Sequence, residues 1–516
     1  MPVPVRPPMP RLPPFALAER PRSTNHPLYL LLFAGLIAAL VLAIHLPLLS
    51  LPFFWDEQGQ FVPTALDLLR HGQWIAHSTT PNVHPPGLEA YLVLWYKAFG
   101  FSILTTRLAM LLLASLGVLL AFLLAIDLTA ATEGAPAFLP PLLLLASPLF
   151  YTQSMMAQLD MPAMVFTLLA LLFFVRHEYY LAAGASVVLV MTKETGVVVP
   201  LVFFVVSVLR REWRRAALFL AAPAVLFAWL VALHRNTGYW LGNPGFAHYN
   251  VTYSLQPVRI GFSLLRHLYY IFIAEFRWIG SIFLLLNVRR CRTFRGEAWR
   301  VTTAVACGTF LLVSVLGGAE LERYLLPVLP IFYIAVTVAI VCSRRWIAAT
   351  ALTSLLAGLI ANLFWTPPYP FPFENNLAMV KFVRLQQVAA EFTQRHLSGA
   401  RIATAWPYSK TLENPDFGYV RQPLRVVETN DFHPESIRAL PAASFNVLIA
   451  YTRTWAPEEG VISIPIVREF LSRFYEWQPD ISADECFRLG LAPMVSWNSG
   501  GQKLTIYTRE EAALLR

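Results

Sequence analysis

Long apolar runs alternate with short polar breaks through the first 365 residues, and the polar positions gather in only a few places. A helix of about 17–25 mostly apolar residues crosses a hydrocarbon core of ~30 Å. On that basis the pattern predicts spans at 28–51, 104–125, 137–152, 161–175, 179–192, 196–209, 216–233, 266–287, 301–317, 324–342 and 346–364. Several are short, which suits tilted or tightly packed helices, and the eighth carries Glu275 and Arg277. The first apolar run, Pro27 to Phe54, far exceeds the roughly 7–15 residues of a secretory signal core and reads as a span.

Polar material collects in two loops and at the C-terminal end. The loop 52–103 predicts two amphipathic interfacial helices. One runs from about Gln58 to His71, with Phe61, Ala65, Leu68 and Leu69 at helical spacing; the other follows "HPPG", with Leu88, Tyr91, Leu92 and Trp95 on one stripe. The loop 234–265 is rich in Gly, Asn, His and Tyr. Beyond the proline-rich "WTPPYPFPF" a helical pattern at 376–397 precedes β-like runs at "RIATAW", "LRVVE", "NVLIAY" and "KLTIYT". The expected organisation is a basic cytoplasmic N-terminus (1–27), an α-helical polytopic membrane domain of eleven spans (28–365) and a small extracytoplasmic α/β domain (366–516).

Composition agrees with a membrane protein. Of 516 residues 56% are hydrophobic and 14% charged, against roughly a quarter charged in soluble domains. The net charge of +9 is carried by arginine, since five of the 40 basic residues are lysine. A basic balance also suits nucleic-acid binding, but the positive-inside bias accounts for it more simply, so membrane lipids and no nucleic acid are expected as partners. With the N-terminus inside, the inner segments hold sixteen Lys and Arg and the outer loops eight. This orientation leaves the C-terminus outside and fits an integral protein of the bacterial cytoplasmic membrane. Cys291, Cys307, Cys342 and Cys486 form no CxxC and suggest neither a disulfide framework nor a zinc site.

The candidate chemistry lies at the outer face. Asp56 and Glu57 in "FFWDEQ" follow the first span, and an acid there also suits a helix N-cap. His84 in "NVHPPG" is held at the surface by two prolines, and a turn histidine is the plainer reading of it alone. Arg107, Asp160 ("QLDMP"), Lys193 and Glu194 ("TKETG") and Arg323 ("ERYLLP") fall at the same face. Each alone reads as a snorkelling side chain. Together they suit a pocket for an anionic ligand with a carboxylate left for proton transfer.

The motifs "WDE", "NVHPPGLEAYL", "FGFSILTTRLAMLL", "QLDMP", "TKETG" and "ERYLLPVLP", in that order, resemble the protein O-mannosyltransferase superfamily of GT-C membrane glycosyltransferases, relatives of the aminoarabinose transferases of lipid A. The resemblance covers roughly residues 28–365; the C-terminal region corresponds in position only. It implies inverting transfer of a sugar from a polyprenyl-phosphate donor to a hydroxyl acceptor (protein, lipid or glycan), with no cofactor required. It also implies Asp56 as catalytic base with Glu57 supporting it or meeting the acceptor. Donor-phosphate contacts would come from His84, Arg107, Lys193, Arg323 and the adjoining Tyr324, with Asp160 and His248 as acceptor-side or structural residues. Glu89 stands where mannosyltransferases carry lysine, and Val83 where aminoarabinose transferases carry a metal-linked glutamate, so no metal site is predicted. A transporter or flippase of a lipid-linked or anionic solute would also place ionisable groups in a cavity. Transporters, however, show repeated halves, and none is apparent here. A catalytically dead scaffold is a third reading, which the intact Asp56 opposes.

Overall fold

The computed structural model describes residues 27–130, 135–318, 320–367, 369–453 and 461–509. The basic N-terminal segment falls outside them. Helices occupy every stretch expected to span. Among the described residues five are long and apolar enough to cross a membrane, or six if a bent pair counts as one, and four shorter apolar helices accompany them. Eleven full-length spans are therefore not what the helix lengths give. Two expected spans are broken for visible reasons. The run 137–152 divides at Ser147–Pro148 into helices Leu139–Ala146 and Pro148–Gln153, because the residue before a proline avoids helical geometry. The run 266–287 breaks between Pro257–Phe272 and Arg277–Asn287, which meet at 89°. Glu275 and Phe276 there have φ of 55° and 66°, and the Glu275 carboxylate accepts from Arg277 Nη1 at 2.7 Å. The charged residues noticed in the sequence thus mark a corner.

Helix Ile103–Thr129 is the centre of the helical region: 67% of its apolar window is buried, against 17% for the first span. The loop between them folds as expected into two short helices, Val62–His71 and Gly87–Phe99, preceded by a π-helical turn, Glu57–Phe61. Asp67 ties the following loop by accepting from the backbone N–H groups of His77 and Ser78, both at 2.8 Å. Gly87 lets the second helix start against a neighbour, since a Cβ there would lie 2.4 Å from Met191 O.

After helix Ala378–His396 comes a five-stranded sheet of β1 (Arg401–Ala405), β2 (Arg425–Thr429), β3 (Val447–Tyr451), β4 (Ala492–Ser499) and β5 (Gln502–Thr508). The order is β2-β1-β3-β5-β4. β1 pairs parallel with both β2 and β3, while β5 runs antiparallel to β3 and β4. Gly500 and Gly501, with φ of 59° and 79°, close the β4–β5 hairpin, as a tight hairpin turn demands. Sequence alone misses β4, an edge strand interrupted by an irregularity between Pro493 and Val495. It also does not suggest the Cys291–Cys342 disulfide, whose partners lie 51 residues apart and carry no motif. The sheet region packs onto the first outer loop, where Tyr419 Oη donates to Phe53 O at 2.8 Å and Arg70 meets Asp416 at 2.8 Å.

Candidate active site

Asp56 and Glu57 diverge at the end of the first outer strand of chain. Trp55, with φ of 44°, occupies a conformation unfavourable for a bulky residue, and the turn it makes sends the two acids in different directions. Glu57 is fully buried. Its carboxylate accepts from the backbone N–H groups of Phe54 (2.9 Å) and Ala157 (2.7 Å) and from both Nη atoms of Arg107 (2.5 and 3.2 Å). Arg107, also fully buried, donates further to the carbonyls of Leu51, Pro52 and Met155 at 3.1, 3.0 and 2.8 Å. Arg107 is therefore a structural clamp on the loop. It does not line the cavity described next, which corrects its assignment to the donor phosphate.

Asp56 faces the other way. Its backbone is helical and its side chain makes no N-cap bond, which disposes of the capping alternative. It lines a cavity of about 930 Å³, a size typical of small-ligand sites. Its Oδ2 accepts from Arg323 Nη2. Arg323 lies in the short turn Glu322–Leu325 and is shared among three carboxylates. Besides Asp56 it approaches Asp160 through Nε and Glu374 through Nη1, each at 3.3 Å. Lys193 donates to Asp160 and lies 4.3 Å above the Tyr324 ring. Asp56, Asp160 and Glu374 thus outnumber Arg323 and Lys193 by one charge. Glu374 answers to that excess: burial raises its carboxyl to about 7, the Arg323 guanidinium opposing and the Asp56 carboxylate reinforcing the rise.

The cavity wall also carries the His84–Glu194 pair, with Nδ1 and Oε2 2.8 Å apart, and His84 meets Phe246 edge-on at 5.4 Å. Tyr249, Asn250 and Val251 line it from the π-helical turn His248–Thr252. His248 itself does not, so it is not brought to the reacting groups. Of the expected site residues the cavity gathers Asp56, His84, Asp160, Lys193, Arg323 and Tyr324, and leaves out Glu57, Arg107 and His248. Sequence reading missed Glu374, Arg266, Trp406 and Arg453. The first stands directly after the proline-rich "WTPPYPFPF", and the last two belong to the C-terminal region. Glu89 is buried with Oε2 unpartnered, and burial raises it to about 7. Among the described residues no three of His, Cys, Asp and Glu are arranged to hold a metal. The three carboxylates that do converge already hold a guanidinium between them, so as placed they do not fit a divalent ion.

The fold that carries this cavity is shared with known proteins. The model of glycosyltransferase family 87 matches residues 85–315. ArnT from Cupriavidus metallidurans bound to undecaprenyl phosphate is similar in structure at 16% identity, with a TM-score of 0.53 over 94% of this chain and 98% of that one. The chain is thus similar to glycosyltransferase family 87 over its central part, and it shares the fold of these membrane proteins. The same ArnT in the apo state aligns at 15% identity and a TM-score of 0.52, over 93% of this chain and 97% of that one. The Archaeoglobus fulgidus oligosaccharyltransferase in complex with Zn and sulfate aligns at 11% identity and a TM-score of 0.51, over 82% of this chain and 67% of that one. No curated protein matches this chain in sequence. The family 87 match begins just beyond His84, so Asp56 and His84 rest on geometry alone.

Proposed function

We propose that this enzyme moves a sugar from a polyprenyl-phosphate donor to a hydroxyl acceptor at the outer face of the bacterial cytoplasmic membrane, with inversion and with Asp56 as base. The observation that carries the reading is the Asp56–Arg323 contact inside the cavity: a carboxylate able to take a proton lies against a cation able to take a phosphate. The undecaprenyl phosphate bound to ArnT, a protein of the same fold, supports a lipid-phosphate donor. The N-terminus is read as cytoplasmic and residues 366–516 as an extracytoplasmic domain above the cavity.

In this mechanism the donor phosphate, a single-charged diester, competes with Asp56 for Arg323. As the guanidinium turns toward the phosphate, Asp56 is released from its ion pair and is free to accept a proton. The acceptor hydroxyl loses its proton to Asp56 as its oxygen attacks the anomeric carbon. The bond from that carbon to the phosphate oxygen breaks on the opposite side, and the electron pair leaves with the phosphate. Arg323 and Lys193, helped by His84, stabilise the charge that builds there, an interaction stronger in the transition state than before it. Tyr324 holds the Lys193 ammonium over its ring. Glu57 and Arg107 keep the loop that presents Asp56 in place.

The test is release of free polyprenyl phosphate from a panel of polyprenyl-phosphate sugars, with wild type and Asp56→Asn. Turnover by wild type and a fall of about 10²–10⁴-fold in the variant, with donor still bound, supports the reading. Donor binding without turnover by wild type, across a range of hydroxyl acceptors, sinks it in favour of transport.

A further inference from the structure

We infer that the acceptor is an anionic saccharide, recognised by Trp406 and Arg453 in a crevice of the C-terminal sheet that opens into the cavity; the inference rests on the transferase reading above. In the order β2-β1-β3 the chain passes from β1 to a neighbour on one side and then to a neighbour on the other. Open parallel sheets bind ligands beyond the carboxyl ends of the strands at such a reversal. Here the ladder between β1 and β3 covers only Ile402–Val447 and Ala403–Leu448. Beyond it the strands are linked by the Tyr451 hydroxyl, which donates to Ala405 O at 3.2 Å and Trp406 O at 3.1 Å. Trp406 follows the end of β1 and Arg453 lies two residues past the end of β3, and both line the cavity that holds Asp56 and Arg323.

The charges on the cavity wall single out Arg453. His84 is paired with Glu194, Lys193 with Asp160, Arg266 with Glu322 and Arg323 with Asp56. Among the described residues Arg453 has no carboxylate within salt-bridge distance. Its Nη1 donates to Asn430 O at 2.9 Å, and its buried Nε has no partner among the described residues. A guanidinium with no carboxylate in contact among the described residues is available to a ligand carboxylate or phosphate, which its planar fork fits in pairs of hydrogen bonds. Trp406 supplies the flat apolar face beside it. That face is seated from the membrane side: a Cβ on residue 59 would lie 2.2 Å from Trp406 Cζ2, so Gly59 admits the indole, and Trp55 meets it edge-on at 6.1 Å. The donor phosphate has Arg323 and Lys193 on the helical side, so the C-terminal wall is left for the acceptor.

The experiment uses full-length protein in lipid nanodiscs. It measures binding of disaccharides ending in glucuronate, glucose 6-phosphate or glucose, and of an acidic serine peptide. Wild type is expected to bind the anionic sugars about 10- to 100-fold more tightly than the neutral one, the range for charge-assisted hydrogen bonds. The uronate and phosphate arms identify which anion is read. Arg453→Gln should bring the anionic-to-neutral ratio close to one, and Arg453→Lys should retain part of it. Trp406→Ala should weaken every sugar, and Trp406→Phe far less. No preference in wild type, a preference that survives Arg453→Gln, or tighter binding of the peptide overturns the inference. Donor turnover is read separately on wild type. Its absence with all acceptors counts against the transferase reading, whereas turnover with a flat acceptor ratio counts against this inference alone.

Discussion

Asp56 and Glu57 are adjacent, alike in charge, and each meets an arginine, yet the two pairs are built for opposite ends. The Glu57–Arg107 pair is fully buried, and its carboxylate and guanidinium are bonded to one another and to five backbone groups of the surrounding loops. Such a pair has one arrangement. The Asp56–Arg323 pair lies on the cavity wall, and its arginine is divided among three carboxylates, two of them at 3.3 Å. Arg323 Nε and Nη1 make no hydrogen bond. A cation held by several partial contacts can exchange one of them for a phosphate. Arg107 Nε is likewise without a partner, so what separates the structural acid from the reactive one is how its arginine is shared: Arg107 serves one carboxylate and three carbonyls, Arg323 three carboxylates.

The comparison breaks first at Asp56. Asp56→Asn keeps the shape and removes the base, so turnover should fall about 10²–10⁴-fold while the thermal unfolding midpoint in detergent stays near wild type. A variant that unfolds early would instead make Asp56 a second structural acid. Arg107→Met should do the reverse. Leaving Glu57 buried without its partner is expected to remove about 3–5 kcal/mol of stability, read as a lowered unfolding midpoint and poor recovery of folded protein. Glu57→Gln tests the same pair more gently. An Arg107→Met protein that is fully stable but no longer binds donor would restore the phosphate role that its burial denies.

Glu89 gives a smaller effect with a definite sign. Burial raises its carboxyl from the ordinary range to about 7, so the folded chain holds the protonated form. That stabilisation is complete below the unfolded value and is lost as pH rises through about 7. Glu89→Gln, which cannot ionise, should unfold at a higher temperature than wild type at pH 8, with the gap closing at pH 5. A gap that does not change with pH would mean that the carboxyl is already satisfied.

Much of this was legible in the sequence, for reasons the structure makes plain. Helix positions followed from apolar run length, and four of the five strands from alternation. Asp56, His84, Asp160, Lys193 and Arg323 fell at one face because loop charge oriented the spans, and the cavity gathers those same residues. What stayed hidden depends on long-range packing. Arg107 and Arg323 look alike at helix ends, and only the fold turns one into the core. Asp56 and Arg323 are 267 residues apart. Glu374 stands in "FPFENN", directly after the proline-rich segment and without a motif of its own; the chain there forms a short turn, Phe373–Asn375, that inserts a third acid beside Arg323.

That third acid provides the finest test of the comparison. If Arg323 changes partner when donor binds, a carboxylate that competes for it should matter in proportion to its charge. Glu374 is pushed up to about 7 chiefly by burial, so it is mostly neutral at pH 6 and mostly ionised at pH 8. Ionisation adds a negative charge where the donor phosphate must settle and ties Arg323 more firmly. The KM for donor should therefore rise as pH passes upward through about 7, by roughly tenfold or less given that one pKa unit corresponds to about 1.4 kcal/mol. The donor diester keeps a constant charge across this range and cannot supply the slope. Glu374→Gln should flatten the profile at the value wild type shows at pH 6, with kcat changed less than KM. An identical slope in the variant would place the titration elsewhere. A variant flattened at the pH 8 value would mean that the ionised carboxylate helps to hold the donor, and that Arg323 does not need to be released.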